Sequence, residues 1–145
     1  MSADLLFTVF NLAVLPGWLL LAVLPRWKWT LSLISSGLIP FLLGLSYLVL
    51  FLFVGFDGPE DGGFGSLYGV MQLFTTPWAV LIGWIHYLAF DLFVGSWELQ
   101  DSQRNNIPHW MMLPCLVLTF LLGPIGLVAY LCLRAVRTRR FLIYT

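Results

Sequence analysis

The sequence predicts an all-α protein, a polytopic four-helix transmembrane bundle, and three observations support that fold class. Hydrophobic residues make up 60% of the chain and charged residues only 10%, whereas soluble domains average about 25% charged residues. The apolar residues fall into four segments of roughly the 20 residues that a helix needs to cross a bilayer. The third segment carries ionisable side chains inside its apolar run, which is typical of functional membrane helices.

The first apolar segment covers residues 5–24 and ends at Pro25. Asp4 stands where a signal peptide would carry its basic region, and no Ala-x-Ala cleavage site follows, so we expect a retained transmembrane helix. The connector at residues 26–29 reads Arg-Trp-Lys-Trp. Its tryptophans suit the headgroup region of a membrane and its cations suit water.

The second apolar segment covers residues 31–56, long enough to span a bilayer with some tilt. Pro40 and Gly44 favour a kink within it. The glycine-rich residues 57–65 predict a solvated loop with three acids. Residues 66–75 are mixed in character and predict an interfacial helix that leads into the third span.

The third span is predicted at residues 78–97, with Pro77 suited to the first helical turn. A polar loop at residues 98–106 precedes the fourth span, at residues 109–133. The Gly-Pro-Ile-Gly sequence at residues 123–126 should bend or break that span. Membrane helices tolerate such a break where neighbouring groups satisfy the freed carbonyls.

Four spans in one domain, residues 1–145, predict that both termini lie on the same side of the membrane. Cytoplasmic loops of membrane proteins carry an excess of Lys and Arg, which sets the orientation. The side of the termini carries four such residues and the other side three: Arg134, Arg137, Arg139 and Arg140, against Arg26, Lys28 and Arg104. This small excess predicts cytoplasmic termini.

Two stripes of polar and aromatic side chains run along the third helix when successive residues are placed about 100° apart. One face carries Trp84, Tyr87, Asp91, Gly95 and Glu98. An adjacent stripe carries His86, Phe90, Phe93 and Trp97. Because about 140° separates His86 from Asp91, local geometry does not make them a direct pair.

Asp91 and His86 are the leading candidates for chemistry, because an ionisable side chain at membrane depth is costly and marks a functional site. Asp91 is interpreted as a proton carrier or ligand, with a structural hydrogen bond to a neighbouring helix as the alternative. His86 is interpreted as a general base or metal ligand, or as a hydrogen-bonded histidine between helices. Burial favours the neutral form of a carboxyl group, which can then act as an acid.

Other polar residues have simpler interpretations. Glu98 and Asp101 are predicted at a solvated helix end, paired with Arg104. His109 is predicted at the membrane interface, and Asn11 is predicted to hydrogen-bond between helices. A metal site is a further alternative, because several of these residues offer oxygen or imidazole donors. Its ligands would be His86, Asp91, Glu98, Asp101 and His109. The spacing identifies no cofactor, and the formal net charge of zero gives no support to nucleic-acid binding.

Three stretches of the chain together carry a family signature. The most specific is GWIHYLAFDLFVGSWELQD at residues 83–101, with Asn-Ile-Pro-His at residues 106–109. The others are LTFLLGPIGLVAYL at residues 118–131 and the start of the chain, where Phe-Asn at 10–11 precedes LPGWLL at 15–20. Over nearly its whole length the chain resembles the neoxanthin-synthase-like proteins, a plastid family with bacterial relatives that is named for an abscisic-acid-deficient plant mutant.

The resemblance implies a membrane protein of carotenoid or other isoprenoid metabolism, acting as an isomerase that turns an epoxide into an allenic alcohol without net redox change. The catalytic residues would be Asp91 as the acid and His86 as the base, together with Glu98. The substrate would be bound by Asn11, Trp18, Trp84, Tyr87, Phe90, Phe93 and His109. Because the chain begins almost at its first helix, we expect a bacterial inner membrane, or a plastid membrane in a eukaryote.

Two other functions stay open at this point. The bundle can bind a carotenoid, a lipid or a partner enzyme without chemistry, with glycines allowing close helix contact. It can also be a small proton-coupled carrier that uses Asp91, which four helices would support only as an oligomer. The expected partners are therefore membrane lipid, a carotenoid or other isoprenoid ligand, and further copies of the chain.

Overall fold

The computed structural model describes residues 2–54 and 59–139, and the regular secondary structure in these two ranges is all helical. Seven helices follow one another in this part of the chain: α1 Ala3–Val23, a π-helix at Thr30–Ser35, α2 Leu38–Val54, α3 Leu67–Leu73, α4 Pro77–Arg104, α5 His109–Leu122 and α6 Pro124–Thr138. The all-α fold class is confirmed. Among the described helices, α1 and α4 are long and apolar enough to cross a membrane, whereas α2 and α5 are shorter apolar helices.

The central element is α4, which packs against α1, α2 and α5. Thr76 caps its start by accepting a hydrogen bond from the Ala79 N–H, and Pro77 occupies the first turn as predicted. The helix continues to Arg104, so residues 98–104 are helical and do not form the predicted polar loop. Its buried apolar side chains supply much of the core, and they include Leu81, Ile85, Leu88, Leu92 and Leu99.

α1 runs parallel to α4, and α2 runs antiparallel to both. Ala3 and Pro77 line one cavity, which places the starts of α1 and α4 side by side. The end of α1 meets the start of α5, because the Ala22 carbonyl lies 2.8 Å from His109 Nε2. Gln100 donates a 2.7 Å hydrogen bond to the Ser35 carbonyl, just before α2 begins. The molecule thus has two ends, which we name the Pro77 end and the Arg104 end after the ends of α4.

The predicted second span, residues 31–56, is divided in two. The π-helix precedes α2, and the break falls at Gly37, whose φ of 83° lies in the left-handed region that glycine adopts at little cost. Pro40 and Gly44, the residues expected to kink this span, both lie within α2. The last two residues of the predicted span lie outside the described residues.

The predicted short helix before the third span is confirmed as α3. Ser66 caps it by accepting a hydrogen bond from the Gly69 N–H. Before it, residues 59–65 form turns and bends without regular structure, as expected for a connector, while residues 57 and 58 of the predicted loop lie outside the described residues. This segment links the end of α2 to the start of α4 at the Pro77 end.

The predicted fourth span, residues 109–133, is a helical hairpin and not one crossing helix. α5 runs antiparallel to α4 and ends at Gly123, whose φ of 49° breaks the chain within the Gly-Pro-Ile-Gly sequence as predicted. α6 then folds back along α5, so that Tyr130 and Arg134 both reach Asp101 near the Arg104 end. The tip of the hairpin packs about halfway along α4.

This hairpin places the start of α1 and the end of α6 at opposite ends of the described structure. The start of α1 lies at the Pro77 end, whereas α6 leads toward the Arg104 end. This arrangement gives no support to the expectation that both termini share one side of a membrane. The physical reason is length: the 14 residues of α5 extend about 21 Å before the chain turns back, less than the hydrocarbon thickness of a bilayer.

Gly126→Ala is expected to destabilise the hairpin by about 1–3 kcal/mol, because a Cβ at this position would overlap the backbone and hydroxyl of Thr119. Gly44→Ala is the matched control, since nothing lies near its Cβ position and alanine is favoured over glycine within a helix by roughly 0.5–1 kcal/mol. Thermal unfolding in detergent measures the stability of both variants. A Gly126→Ala protein as stable as the wild type would contradict the close contact between α5 and α6.

Candidate functional site

The residues predicted to share one face of α4 do lie in a continuous row along the helix. We call this row the carboxylate row, and its members are Trp84, Tyr87, Asp91, Gly95 and Glu98. Its first member is held by α1, because the Trp84 indole N–H donates a 3.1 Å hydrogen bond to the side-chain oxygen of Asn11. The Trp84 and Tyr87 rings are 5.1 Å apart. Tyr87 lies one helical turn before Asp91, and its hydroxyl is close enough to interact with the Asp91 carboxyl group. The prediction of an interhelical hydrogen bond for Asn11 is confirmed.

Asp91 lies against the break between α5 and α6. One of its carboxyl oxygens, Oδ1, is 3.0 Å from the point where a Cβ on Gly123 would stand, so a side chain at Gly123 would crowd the carboxyl group. The other oxygen, Oδ2, is buried and has no hydrogen-bond partner among the described residues. Burying an oxygen without a hydrogen-bond partner costs free energy unless a ligand or a proton satisfies it. Asp91 is therefore the member of the row best placed to interact with a ligand.

Gly95 separates Asp91 from Glu98 and leaves room for an aromatic ring. A Cβ on Gly95 would lie 2.6 Å from the outer edge of the Trp18 indole, which occupies the space that a side chain would fill. Trp18 is only 7% exposed and packs on Phe120, with ring centroids 5.3 Å apart. The indole forms an apolar partition between the two carboxyl groups, which are still close enough to interact electrostatically.

Glu98 is fully buried, with 0% of its surface exposed, so its predicted location at a solvated helix end is wrong. Both of its carboxyl oxygens lie 3.0 Å from the Thr119 hydroxyl, which comes from α5. Because α4 continues through this position and the hairpin covers it, no solvent reaches the side chain. Gly126 permits this arrangement by letting α6 approach Thr119 closely.

Asp101 pairs with Arg134, and the predicted pairing with Arg104 is wrong. Arg134 Nε donates to Asp101 Oδ2 at 2.8 Å, and the Tyr130 hydroxyl donates to the same oxygen at 2.5 Å. Asp101 and Arg134 are buried, whereas Arg104 is exposed. The partner lies 33 residues away along the chain, and only the return of α6 along α5 brings it to this end.

Three members of the second predicted stripe, His86, Phe90 and Phe93, lie on a different surface. His86 is exposed, 4.5 Å from the Phe90 ring and 5.8 Å from the ring of Tyr47 on α2. Phe90 is 58% exposed and Phe93 is 53% exposed. His86 therefore lies beside α2, on a different face of α4 from Asp91. Trp97, the last member of the predicted stripe, instead packs edge-on against Tyr130 of α6, with ring centroids 5.7 Å apart. His86 and Asp91 are not brought together.

His109 begins α5 at the Arg104 end. Its Nε2 lies 2.8 Å from the Ala22 carbonyl, and its Nδ1 is buried without a partner in the described part of the chain. It lies far from Asp91, since the two are at opposite ends of the contact between α4 and α5. The five residues considered as metal ligands are thus dispersed, and within residues 2–54 and 59–139 no group of three or more His, Cys, Asp or Glu is placed to hold a metal ion.

Two residues of the site, Tyr130 and Arg134, were not singled out as site residues in the sequence. Thr119, Tyr130 and Arg134 complete the interactions of the carboxyl groups, and Gly95 and Gly123 provide the space. The spacing of Tyr130 and Arg134 by four residues places them on one face of a helix, which was the available signal. Which residues Tyr130 and Arg134 contact depends on how the hairpin packs against α4.

A double-mutant cycle tests whether the Asn11 and Trp84 hydrogen bond couples α1 to α4. We expect Asn11→Ala and Trp84→Phe to have a coupling energy of about 0.6 kcal/mol, the average for hydrogen bonds between membrane helices. Unfolding of the two single variants and the double variant, in mixed micelles, gives this value. Strictly additive effects would show that the contact contributes nothing to the stability of the bundle.

The fold and its site define a class: an apolar, all-helical protein whose central helix carries buried carboxyl groups in a row. The ABA DEFICIENT 4-like family model matches residues 5–130, and the chain belongs to this family. It is 29% identical over 149 residues to Protein ABA DEFICIENT 4, chloroplastic, from Arabidopsis thaliana. The match covers 96% of this chain but 64% of that relative, so the chain spans less than two thirds of the relative's length. No solved structure is significantly similar to the chain.

Proposed function

We propose that the chain is an integral membrane protein of carotenoid or isoprenoid metabolism, in which Asp91 exchanges a proton with a lipid-dissolved substrate. The observation that carries the proposal is the buried Asp91 Oδ2, which has no hydrogen-bond partner among the described residues and lies at the tip of the α5–α6 hairpin. Membership of the ABA DEFICIENT 4-like family supports the substrate class.

A membrane location is supported by the exposed apolar surface. Large apolar side chains on α1 and α2 point outward, including Leu19 at 63%, Leu52 at 72% and Phe53 at 87% exposure. Water would penalise this surface by about 25 cal/mol for each Å², whereas lipid tails accept it. In this proposal α1, α2 and α4 cross the bilayer, and α5 and α6 form a re-entrant hairpin that is covered by protein at its tip. The four-span bundle thus becomes three spans and a hairpin.

The orientation proposed for this arrangement rests on the charges. Every described Lys and Arg belongs to the Arg104 end: Arg26, Lys28, Arg104, Arg134, Arg137 and Arg139. The Pro77 end instead carries acids, including Asp4, Glu60 and Asp61. Because positive residues are retained on the cytoplasmic side, we place the Arg104 end and the C-terminal side there. The proposed location is a bacterial inner membrane, with the N-terminus on the far side.

The proposed reaction converts a carotenoid epoxide to an allenic alcohol, an isomerisation without net redox change. Asp91 donates its proton to the epoxide oxygen while the adjacent C–O bond breaks. The resulting carboxylate then removes a proton from the polyene carbon, which forms the allene and restores the acid. One carboxyl group can perform both steps, and the proposal assigns both to Asp91 because His86 lies on another face of α4. Tyr87, one turn before Asp91 on α4, interacts with the carboxyl group and helps to position it.

Glu98 has a supporting role in this proposal. It lies behind the Trp18 partition and is fully buried, so it does not touch a substrate held against Asp91. Its electrostatic interaction with Asp91 disfavours two simultaneous negative charges in the apolar interior.

A second candidate function is binding without chemistry. The exposed aromatic stripe of His86, Phe90 and Phe93 beside Tyr47 forms an outer surface suited to a polyene or to a partner membrane enzyme. In that case a carotenoid would co-purify unaltered, and Asp91→Asn would change only the yield of the complex.

The test is reconstitution of the purified protein in liposomes with violaxanthin or a related epoxy carotenoid, followed by chromatographic analysis of the pigments. The proposal expects an isomer of unchanged mass in which one epoxide is lost. Recovery of only the starting pigment, with protein of verified fold and with several epoxy carotenoids, would overturn the catalytic proposal and leave the binding function.

A further inference from the structure

A polar and aromatic surface lies at the contact between α2 and α4, and we call it the His86 surface: Tyr47, His86, Phe90 and Phe93. His86 is exposed, and its ring lies 5.8 Å from the ring of Tyr47 and 4.5 Å from that of Phe90. Phe93 follows Phe90 by three residues, so it lies on the same face of α4. Both phenylalanines are more than half exposed. The His86 surface is separate from the carboxylate row, which lies on another face of α4.

The polar atoms of this surface have no partner within the described chain. Neither the His86 imidazole nor the Tyr47 hydroxyl makes a side-chain hydrogen bond with residues 2–54 or 59–139. The two rings meet at an interplanar angle of 58°, and no hydrogen bond joins them. The Tyr47 hydroxyl does not belong to the buried atoms that lack a partner in this part of the chain, so it is accessible. An imidazole and a hydroxyl are therefore both available to a second molecule.

The depth of these groups makes the missing partners costly. In the proposed function, on which this inference rests, α2 and α4 cross the bilayer. His86 lies about 14 Å beyond Pro77 along α4 at 1.5 Å per residue, close to the middle of a hydrocarbon core about 30 Å thick. Acyl chains offer neither donors nor acceptors, and histidines within membrane spans almost always face protein or water. We therefore expect another protein surface to cover His86.

A second copy of the chain supplies the missing groups at the right depth. In a dimer whose two-fold axis follows the membrane normal, residues meet others at about the same depth, and each contact occurs twice. Tyr47 and His86 share one depth because their rings are in contact. A neutral imidazole has one acceptor nitrogen, and a phenol hydroxyl can donate to it. The His86 surface is thus complementary to itself.

We propose that the His86 surface is the interface of a two-fold symmetric homodimer within the membrane. The Tyr47 hydroxyl of each copy donates a hydrogen bond to His86 of the partner subunit, and Phe90 and Phe93 pack around this pair. Hydrogen bonds from histidine and close packing are the interactions that associate membrane helices. The dimer covers the surface that the second candidate function gives to a polyene, so the two occupants compete.

The experiment measures dimerisation of the full chain in liposomes, by energy transfer between copies labelled at Cys132, which is exposed on α6. Dilution with lipid gives the dimerisation constant. We expect Tyr47→Phe and His86→Phe each to weaken dimerisation by roughly eightfold, because each change removes both symmetry-related hydrogen bonds between membrane helices. The double variant should be no weaker than either single variant, since all three lose the same two hydrogen bonds.

Tyr68→Phe is the matched control, because it removes the same hydroxyl from an exposed tyrosine on α3. It should change the dimerisation constant less than twofold. A wild type that stays monomeric at every dilution would overturn the proposal and leave the surface to a polyene. So would a dimer that neither Tyr47→Phe nor His86→Phe weakens, since another surface would then hold it. Strictly additive effects of the two changes would equally refute the pairing.

Thermal unfolding of each variant verifies the fold. Tyr47→Phe removes a single oxygen, so it decides the matter if His86→Phe does not fold. The energy transfer does not depend on any reaction at Asp91, and flotation of the protein with the liposomes tests the membrane location separately. Failure of the dimer is therefore distinguishable from failure of the proposed function.

Discussion

Asp91→Asn is expected to lower the rate of carotenoid isomerisation by at least about a hundredfold, the smaller of the usual effects of removing a general acid or base. Asparagine has nearly the same volume, so it can keep the packing against Gly123 and the contact with Tyr87. It cannot give up and recover a proton, which both steps of the proposed reaction require. The measurement is the rate of product formation in liposomes, with the pigment profile of a carotenoid-producing host as the second readout.

The control for this variant is Asp61→Asn, which removes the same chemical group from the exposed loop at the Pro77 end. It should leave the rate unchanged. The thermal unfolding midpoint of Asp91→Asn should equal or exceed that of the wild type, because a neutral amide is less costly to bury than a carboxyl group that can ionise. An active and equally stable Asp91→Asn protein would refute the assignment of both proton-transfer steps to Asp91.

Arg134→Ala is expected to destabilise the protein by about 3–5 kcal/mol, the effect of removing one partner of a buried ion pair. The change leaves the buried Asp101 carboxylate with the Tyr130 hydroxyl but without its cation. The loss should be concentrated in the hairpin, because Asp101 and Arg134 join α4 to α6. Unfolding by sodium dodecyl sulfate in mixed micelles measures the free energy of unfolding.

Arg104→Ala is the matched control for the ion pair. Arg104 belongs to the same end of α4 but is exposed, so its removal should change stability by less than about 0.5 kcal/mol. The double variant Asp101→Leu/Arg134→Met should recover much of the lost stability, because apolar groups of similar volume remove both charges together. Equal effects of Arg104→Ala and Arg134→Ala would contradict the pairing described for Asp101.

The helix that carries the candidate site could be read from residue spacing. The face of Trp84, Tyr87, Asp91, Gly95 and Glu98 follows from the period of an α-helix, and the structure keeps it intact because α4 is regular along its length. The separation of His86 from Asp91 follows from the same period. The break at Gly123 was also predictable, since proline and glycine remove helical hydrogen bonds and favour turns.

The direction of the chain after Gly123 was not predictable from local pattern. A 25-residue apolar segment with a break in its middle is compatible with a kinked crossing helix and with a hairpin. The choice depends on the contact of Gly126 with Thr119 and on the pair of Arg134 with Asp101, both of which join distant residues. For the same reason, the sequence predicted Arg104 as the partner of Asp101, whereas the fold supplies Arg134.

The sequence by itself determined that this protein is helical and strongly apolar, that one helix carries its carboxyl groups on a single face, and that the chain breaks at Gly123. These properties depend on composition and on helical period, which are local. The tertiary structure alone decided that Glu98 is buried, that Asp101 pairs with Arg134, and that one Asp91 oxygen has no partner within residues 2–54 and 59–139. Those outcomes depend on how the hairpin packs against α4, and packing between distant segments leaves no local pattern in the sequence.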